Sequence, residues 1–368
     1  MPTCNQTAAD LNPDIHDLAI DAISKYYDEL RDRPNLARSH LAGMGAIAEL
    51  EAKIARHYGK KYALCLNNAT TALMAIALAL DLQGETFITT GYSYGGTVAG
   101  WLMLGNRPVF ADIDPHNLTL DPEAVRRAIT RSTKAILSVD TFGNPADMEA
   151  LRSIADEFDL WLISDAAQSL GAERNGQPAS SLADAIVISM TAGKTLFAGE
   201  GGAIVTDDAA LYQKLIYLTQ HPDRQRRDIS LLIGNQLGLN GRMHPLAAVV
   251  ANATFERSLS NLQEHQQFWL AIADVLNQSG LTVPILFRDR NILPAFFCFS
   301  AVWREQPKLQ DLFGILSESG FNLSIGAPPI QPIYQQAAFV AKYAEFVPID
   351  RLPNVELAND RFVLRSLS

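Results

Sequence analysis

Positive charge, cysteine and long apolar runs are all scarce in this chain of 368 residues, and each shortage removes a class of function. Its 30 Lys and Arg stand against 40 Asp and Glu, for a formal net charge of −10. A phosphate backbone or an anionic membrane surface calls for the opposite excess, so neither nucleic acid nor membrane is expected as a partner. The three cysteines, Cys4, Cys65 and Cys298, lie far apart with no ligand spacing, which marks them as core or incidental thiols of a reducing compartment. The 7 histidines include no i,i+4 pair, and no metal site is expected. No stretch approaches the roughly 20 apolar residues of a membrane helix, and the opening MPTCNQTAADLNPD has neither the basic nor the apolar region of an export signal. A soluble, cytoplasmic protein is the expectation. No G-x-G-x-x-G follows the first strand, which disfavours a dinucleotide-binding oxidoreductase.

What is present is a hydrophobic content of 48%, ample for a large core, in a length that suits one large domain and one smaller one. Ile15, Leu18, Ala19, Ala22 and Ile23 share one face of a helix that Pro34 ends. A second amphipathic helix runs from Gly45 to His57, stopped by Gly59. Strands and helices then alternate: strands over 62–66, 86–90, 108–114, 135–140 and 160–164, with helices over 67–80, after Tyr94, over 121–130 and over 145–158. This alternation predicts an α/β layer with a mostly parallel sheet, whose ligands gather outside the carboxyl ends of the strands. Beyond residue 250, a long helix (253–280), a strand (295–303) and a further helix (309–319) predict a smaller unit.

The stretch AIVISMTAGKTLFAGEGGAIVTD, residues 185–207, reads as a strand, a glycine-punctuated excursion carrying Lys194, and a second strand. Alone, that lysine suits a solvated charge. Upstream, however, Asp165 stands at the mouth of an apolar strand, where a carboxylate is costly to bury unless a positive charge or a donor meets it. A lysine between strands and a carboxylate at a strand end are what pyridoxal phosphate chemistry needs. The amine condenses with the aldehyde as a Schiff base, and the carboxylate keeps the pyridine nitrogen protonated. Asn68, Thr70 and Thr71 open the helix over 67–80, either as plain caps or as a seat for a phosphate at its N-terminus. Tyr92 and Tyr94 occupy a glycine-rich turn, where an aromatic can lie on a planar ring or plug a loop. HPDRQRRDIS (221–230) gathers Arg224, Arg226 and Arg227, read either as an exposed loop of solvated arginines or as receptors for a diphosphate.

Five ordered blocks, ELEAKIARHYGKKYALCLNNATTAL, PVFADIDPHNLTLDPEAVRRAIT, ISDAAQSLGA, GKTLFAGEGGAIVTDD and LGLNGRMHPLAAVV, resemble the DegT/StrS family of sugar aminotransferases, fold type I of the pyridoxal phosphate enzymes. The resemblance implies a large cofactor-binding domain over 46–250, built on a mostly parallel seven-stranded sheet flanked by helices. It also implies a smaller α+β domain over 251–368 and an N-terminal helical segment, 1–45, packed near it. Carried onto this chain, it makes Lys194 the Schiff-base lysine and proton shuttle, and Asp165 the partner of the pyridine nitrogen. Gln168 then lies by the ring and its 3-oxygen, Tyr94 takes the stacking position, and Ser189 with the amides around Ala69 and Thr70 holds the phosphate. Asn240 matches an asparagine that crosses from the neighbouring subunit, which implies a homodimer with shared sites, and Arg242 beside it is a candidate substrate contact. Tyr334, in the proline-rich GAPPIQPIYQQ, resembles a substrate-proximal residue, although a plain surface loop suits it equally.

The chain departs from the family pattern at Asn68-Ala69-Thr70, where Ser-Gly-Thr is usual, at Ser164 in place of an acid, and at Met190 in place of an aromatic. The implied reaction is ping-pong transfer of an amino group from glutamate or glutamine to a keto-sugar, nucleotide-linked or not, or to a related cyclic ketone. The alternatives are a different pyridoxal phosphate reaction and a non-catalytic cofactor-binding regulator. Relatives that dehydrate sugars carry histidine at the position of Lys194, which disfavours dehydration.

Overall fold

The structure, a computed structural model, describes residues 14–33, 35–235, 237–279, 282–284, 291–303, 309–321, 323–326, 330–358 and 362–366. Helices α1 (Asp14–Asp32) and α2 (Leu36–Leu41) precede α3 (Ala46–His57), whose Ile47, Leu50 and Ile54 turn inward as their spacing requires. The chain then alternates through β1 (Tyr62–Leu66), α4 (Ala69–Ala79), β2 (Thr86–Thr90), α5 (Gly96–Met103), β3 (Arg107–Ala111), α6 (Pro122–Ala128), β4 (Thr133–Val139), α7 (Met148–Phe158) and β5 (Trp161–Asp165). A short hairpin, β6 (Glu173–Arg174) and β7 (Gln177–Pro178), leads to β8 (Ala185–Ser189) and β9 (Gly202–Thr206).

Seven of these strands form one sheet in the order β1-β9-β8-β5-β4-β2-β3. β9 is antiparallel to both of its neighbours, and every other strand of the sheet runs in one direction. Strand periodicity sends Leu64, Phe87, Leu137, Ile163 and Val187 to one face and Cys65, Ile88, Ile136, Leu162 and Ile188 to the other. Both faces are therefore apolar and both are covered, which is why these strands read as continuous hydrophobic runs. The first face packs on α4, α5 and α8 (Ala209–Thr219), the second on α3, α6 and α7. Each large aliphatic side chain buried this way contributes about 1.5–3 kcal/mol, so the sheet is a rigid platform for whatever stands at its edge.

The segment 221–230, expected as an exposed loop, is instead the helix α9 (Pro222–Ile229). His221 caps it by accepting from the Asp223 N–H, and Pro222 occupies its first turn, where the missing N–H costs nothing. Helix α10 (Pro245–Ser279) starts against the sheet and runs without interruption to the C-terminal region, with α1 packed along it and Arg257 paired to Asp14 at 2.6 Å. Beyond it come β10 (Thr282–Pro284), β11 (Ile292–Leu293), β12 (Phe299–Trp303), α11 (Leu309–Glu318), β13 (Leu323–Gly326), α12 (Ala337–Tyr343), α13 (Pro353–Ala358) and β14 (Phe362–Ser366). Four of these strands make an antiparallel sheet, β10-β12-β14-β13, and β11 pairs with β6. The architecture is the fold type I arrangement: a large α/β layer followed by a smaller α+β portion. Among the described residues no helix is long and apolar enough to cross a membrane.

Candidate active site

The parallel strands deliver the carboxyl ends of β1, β2, β4, β5 and β8 to one edge of the sheet, where Asp165 and Ser189 end β5 and β8 and where Tyr94 and the turn opening α4 follow β2 and β1. Asp165 is the last residue of β5 and is buried. The Thr97 hydroxyl donates to its Oδ2 at 2.7 Å, and the Ala167 N–H donates to Oδ1 at 3.1 Å. Because Thr97 has one proton and gives it to Asp165, Ser93 must be the donor in the 2.8 Å contact between the two hydroxyls. Burial pushes the Asp165 carboxyl above the usual carboxylate range, while Thr97, the Ala167 N–H and the Lys194 ammonium pull it back.

Lys194 lies on the β8–β9 connection, which closes on itself through Met190 N–H to Gly201 O and Ala198 N–H to Met190 O, both 2.9 Å. The side chain is not a solvated surface charge. Burial brings its amine down to about 8, with Asp165 opposing the shift. The two charges attract: Asp165 favours the charged amine and the ammonium favours the carboxylate. The Nζ atom sits 4.3 Å from the centre of the Phe297 ring.

Across β8, β9 and β1 a second cluster forms. Ser189 stands opposite Gly202 in the β8–β9 register, and a Cβ on Gly202 would lie 2.5 Å from the Asn68 carbonyl carbon and 2.6 Å from the Ala69 nitrogen. Glycine there lets β9 press directly on the turn that opens α4. Asn68 caps that helix, its Oδ1 accepting from the Thr71 N–H at 2.7 Å. The N–H groups of Ala69 and Thr70 precede any helical carbonyl that could accept them. The Ser189 hydroxyl has no protein partner among the described residues. Gly96 brings α5 close to the same turn, since a Cβ on it would lie 2.8 Å from both Thr70 Oγ1 and the Tyr94 ring. Tyr94 itself is 73% exposed, a ring face open to a ligand. Two free N–H groups, a hydroxyl and a helix N-terminus form an anion seat, and the glycine-enforced cradle fits a phosphate.

Other candidates are placed differently from one another. Gln168 follows Asp165 in the same turn, and its Oε1 accepts from the Phe142 N–H at 2.8 Å. Asn240 is exposed, two residues from an antiparallel bridge between Arg242 and Leu66, with the Asn67 N–H donating to Gly241 O at 2.8 Å. Arg242 is half-buried there and has no ion pair among the described residues.

Two substrate candidates are corrected. Arg224 is 1% exposed, bidentate to Glu51 at 2.9 and 2.7 Å, and held again by Asp228 at 3.1 Å. Its guanidinium is committed to Glu51 on α3 and Asp228 on its own helix, and is neither a solvated loop charge nor a receptor for a diphosphate. The exposed Arg226 and Arg227 are paired with Asp223 and Asp228. Tyr334 is buried, packed on Phe110 with ring centres 5.4 Å apart and seated over Gly91, and its hydroxyl is shut off from solvent. It is a packing residue, not an acceptor contact.

Two neighbours of the site, Thr97 and Phe297, carry no sequence signal of their own. Asp140 does, because it directly follows the apolar strand β4, much as Asp165 ends β5. Ser169, Ser180 and the Ala146 N–H all donate to Asp140, so its carboxylate is closed off by the protein.

The chain has relatives of known name and fold. It is 33% identical over 243 residues to a UDP-2-acetamido-2-deoxy-3-oxo-D-glucuronate aminotransferase of Pseudomonas aeruginosa, a match covering 65% of this chain and 66% of that protein. It is 29% identical over 300 residues to a pleiotropic regulatory protein of Geobacillus stearothermophilus, covering 80% and 77%. Among solved structures it is similar to DesI in the presence of its TDP-sugar product, with a TM-score of 0.75, 25% identity, and coverage of 96% and 85%. A model of one family matches residues 34–362, which include the lysine, the carboxylate and the anion seat alike, and this chain belongs to that family, the DegT/DnrJ/EryC1/StrS aminotransferases.

Proposed function

We propose that this protein is a pyridoxal phosphate-dependent aminotransferase that moves an amino group from glutamate or glutamine to a keto-sugar, nucleotide-linked, or to a related cyclic ketone. The observation that carries the reading is half-buried Lys194 on the β8–β9 connection and buried Asp165 at the end of β5, at the strand ends where the anion seat of α4 also opens. Bound pyridoxal phosphate would supply an electron sink that stabilises a carbanion next to nitrogen.

The chain's own residues do the rest. Asp165 would hold a proton on the pyridine nitrogen, and Thr97 aims its carboxylate and favours the ionised form. Ala69, Thr70 and Ser189 bind the phosphate, Tyr94 covers the ring, and Gln168 lies by its oxygen. Lys194 Nζ would hold the cofactor and, once released from it, would carry a proton from the donor's α-carbon to the cofactor's C4′ carbon. With its amine at about 8, a useful fraction is neutral near physiological pH, as a base must be.

Asn240 and Arg242 reach the neighbouring copy's site in a homodimer. Leu232, Ile233 and Leu237, all exposed on the loop before Asn240, give that second copy an apolar surface to cover. The large domain spans 46–250 and the small one 251–368, with 1–45 beside it, and the protein works in the cytoplasm. A keto-sugar acceptor is supported by the Pseudomonas name, and a nucleotide-linked sugar by that name and by the TDP-sugar product of DesI. The Geobacillus name favours a second reading, a cofactor-binding regulator. Loading the protein with pyridoxamine phosphate and adding keto-sugar nucleotides separates the two. Stoichiometric appearance of an amino sugar supports the enzyme, and a bound cofactor that transfers to no ketone supports the regulator.

A further inference from the structure

The C-terminal portion sends one side chain into the site. Phe297, half-buried, precedes β12 and sets its ring against Lys194 Nζ at 4.3 Å from the centroid. Its segment is pinned from two sides. The Ala295 N–H donates to Gly143 O at 2.9 Å and the Cys298 N–H to Phe142 O at 3.3 Å. From α10, Gln266 Nε2 donates to Pro294 O at 2.9 Å, and His265 Nε2 lies 3.1 Å from Phe296 O. The junction holds two non-glycine residues at positive φ, Phe142 at 60° and Phe296 at 50°, a conformation kept only where the surroundings fix it. The turn that carries Phe142 is tied in turn to Gln168, three residues beyond Asp165. One run of hydrogen bonds thus connects the carboxylate's turn to the ring over the lysine.

We propose that Phe297 is a positioning residue whose ring face holds the Lys194 amine in place and sets its proton affinity, so that the C-terminal portion controls the readiness of the base. An ammonium over an aromatic face is attracted by the ring quadrupole, and the attraction is strongest where water is excluded. Asp165 is the other charged group felt by the amine, and it sits on the sheet, whereas the ring comes from the segment before β12. The ring favours the charged amine and the surrounding burial favours the neutral one. An apolar side chain of similar bulk would keep the burial and lose the attraction.

The inference takes its catalytic meaning from the aminotransferase reading, but its test needs no turnover. Lysines of the full-length, cofactor-free chain are reductively methylated with 13C-formaldehyde and titrated by NMR, with Lys194→Ala assigning the signal. In Phe297→Leu and Phe297→Met the Lys194 midpoint falls by about 0.5–1 pH unit, whereas Phe297→Tyr stays at the wild-type value. Whichever of the two aliphatic variants melts like wild type supplies the reading. An unchanged midpoint in a folded aliphatic variant, or the same fall in Phe297→Tyr, overturns the role of Phe297 and leaves the aminotransferase reading standing. Absence of amino transfer by the wild type, with the midpoints moving as expected, would remove that reading and leave the ring's effect intact.

Discussion

Thr97 donates its only hydroxyl proton to Asp165, across 2.7 Å and from a helix that follows a different strand. The contact binds α5 to β5 at the one carboxylate of the site that is not closed off by the protein. It also opposes the upward push that burial gives that carboxyl.

Thr97→Val removes the donor at nearly constant volume. Losing a bond to the ionised form raises the Asp165 pKa further and weakens its hold on a protonated ring nitrogen. The cofactor dissociation constant rises about tenfold, matching the 1–2 kcal/mol of a hydrogen bond to a charged group, and Thr97→Ser restores it. Equilibrium dialysis of all three proteins checks this.

Lys194 gives a pH dependence with a defined sign. Its amine is lowered in the folded chain to about 8 from an ordinary 10.5, so folding favours the neutral form. Below pH 8 the charged amine costs stability in full, and the cost is relieved as pH rises from 8 towards 10.5. Lys194→Met in the cofactor-free protein is therefore more stable at pH 7 by up to about 3 kcal/mol, and the gain fades at high pH. Urea unfolding at several pH values reads the difference directly.

Arg224 is a structural cation, and its removal leaves Glu51 buried without a counter-charge. Arg224→Met costs about 3–5 kcal/mol of unfolding free energy. The KM for a nucleotide-sugar acceptor stays within about twofold of wild type, because no contact of the uniform-binding kind is lost. A large rise in KM with unchanged stability would return Arg224 to the substrate.

Gly202→Ala drives a methyl group into the Asn68–Ala69 backbone, which cannot yield as a flexible side chain would. The variant loses about 1–3 kcal/mol of stability. Its phosphate affinity falls with it, measurable as a weaker inorganic phosphate inhibition of cofactor binding.

Much of this arrangement is legible in the residues alone, for identifiable reasons. The strands carry unbroken apolar runs because both faces of the sheet are covered, and Asp165 stands out against such a run. Lys194 stands between Gly193 and Gly199, whose positive φ marks a turn and not a strand. Arg224 misleads because its partner, Glu51, lies 173 residues earlier, and no local pattern announces a pair formed by tertiary packing. Pro222 and the capping His221 do signal the helix that replaces the expected loop. Tyr334 reads as a loop residue from its prolines, and only the packed Phe110 and Gly91 show where its ring goes. Thr97 and Phe297 are common residues in unremarkable surroundings, and they acquire roles only when the fold sets them beside Asp165 and Lys194.

The most direct test of the central claim is chemical. The full-length protein is incubated with pyridoxal phosphate, reduced with borohydride and mapped by peptide mass spectrometry. The account predicts one phosphopyridoxyl group per chain, on Lys194, absent from Lys194→Ala. A label on another lysine, or none on the wild type, would contradict it.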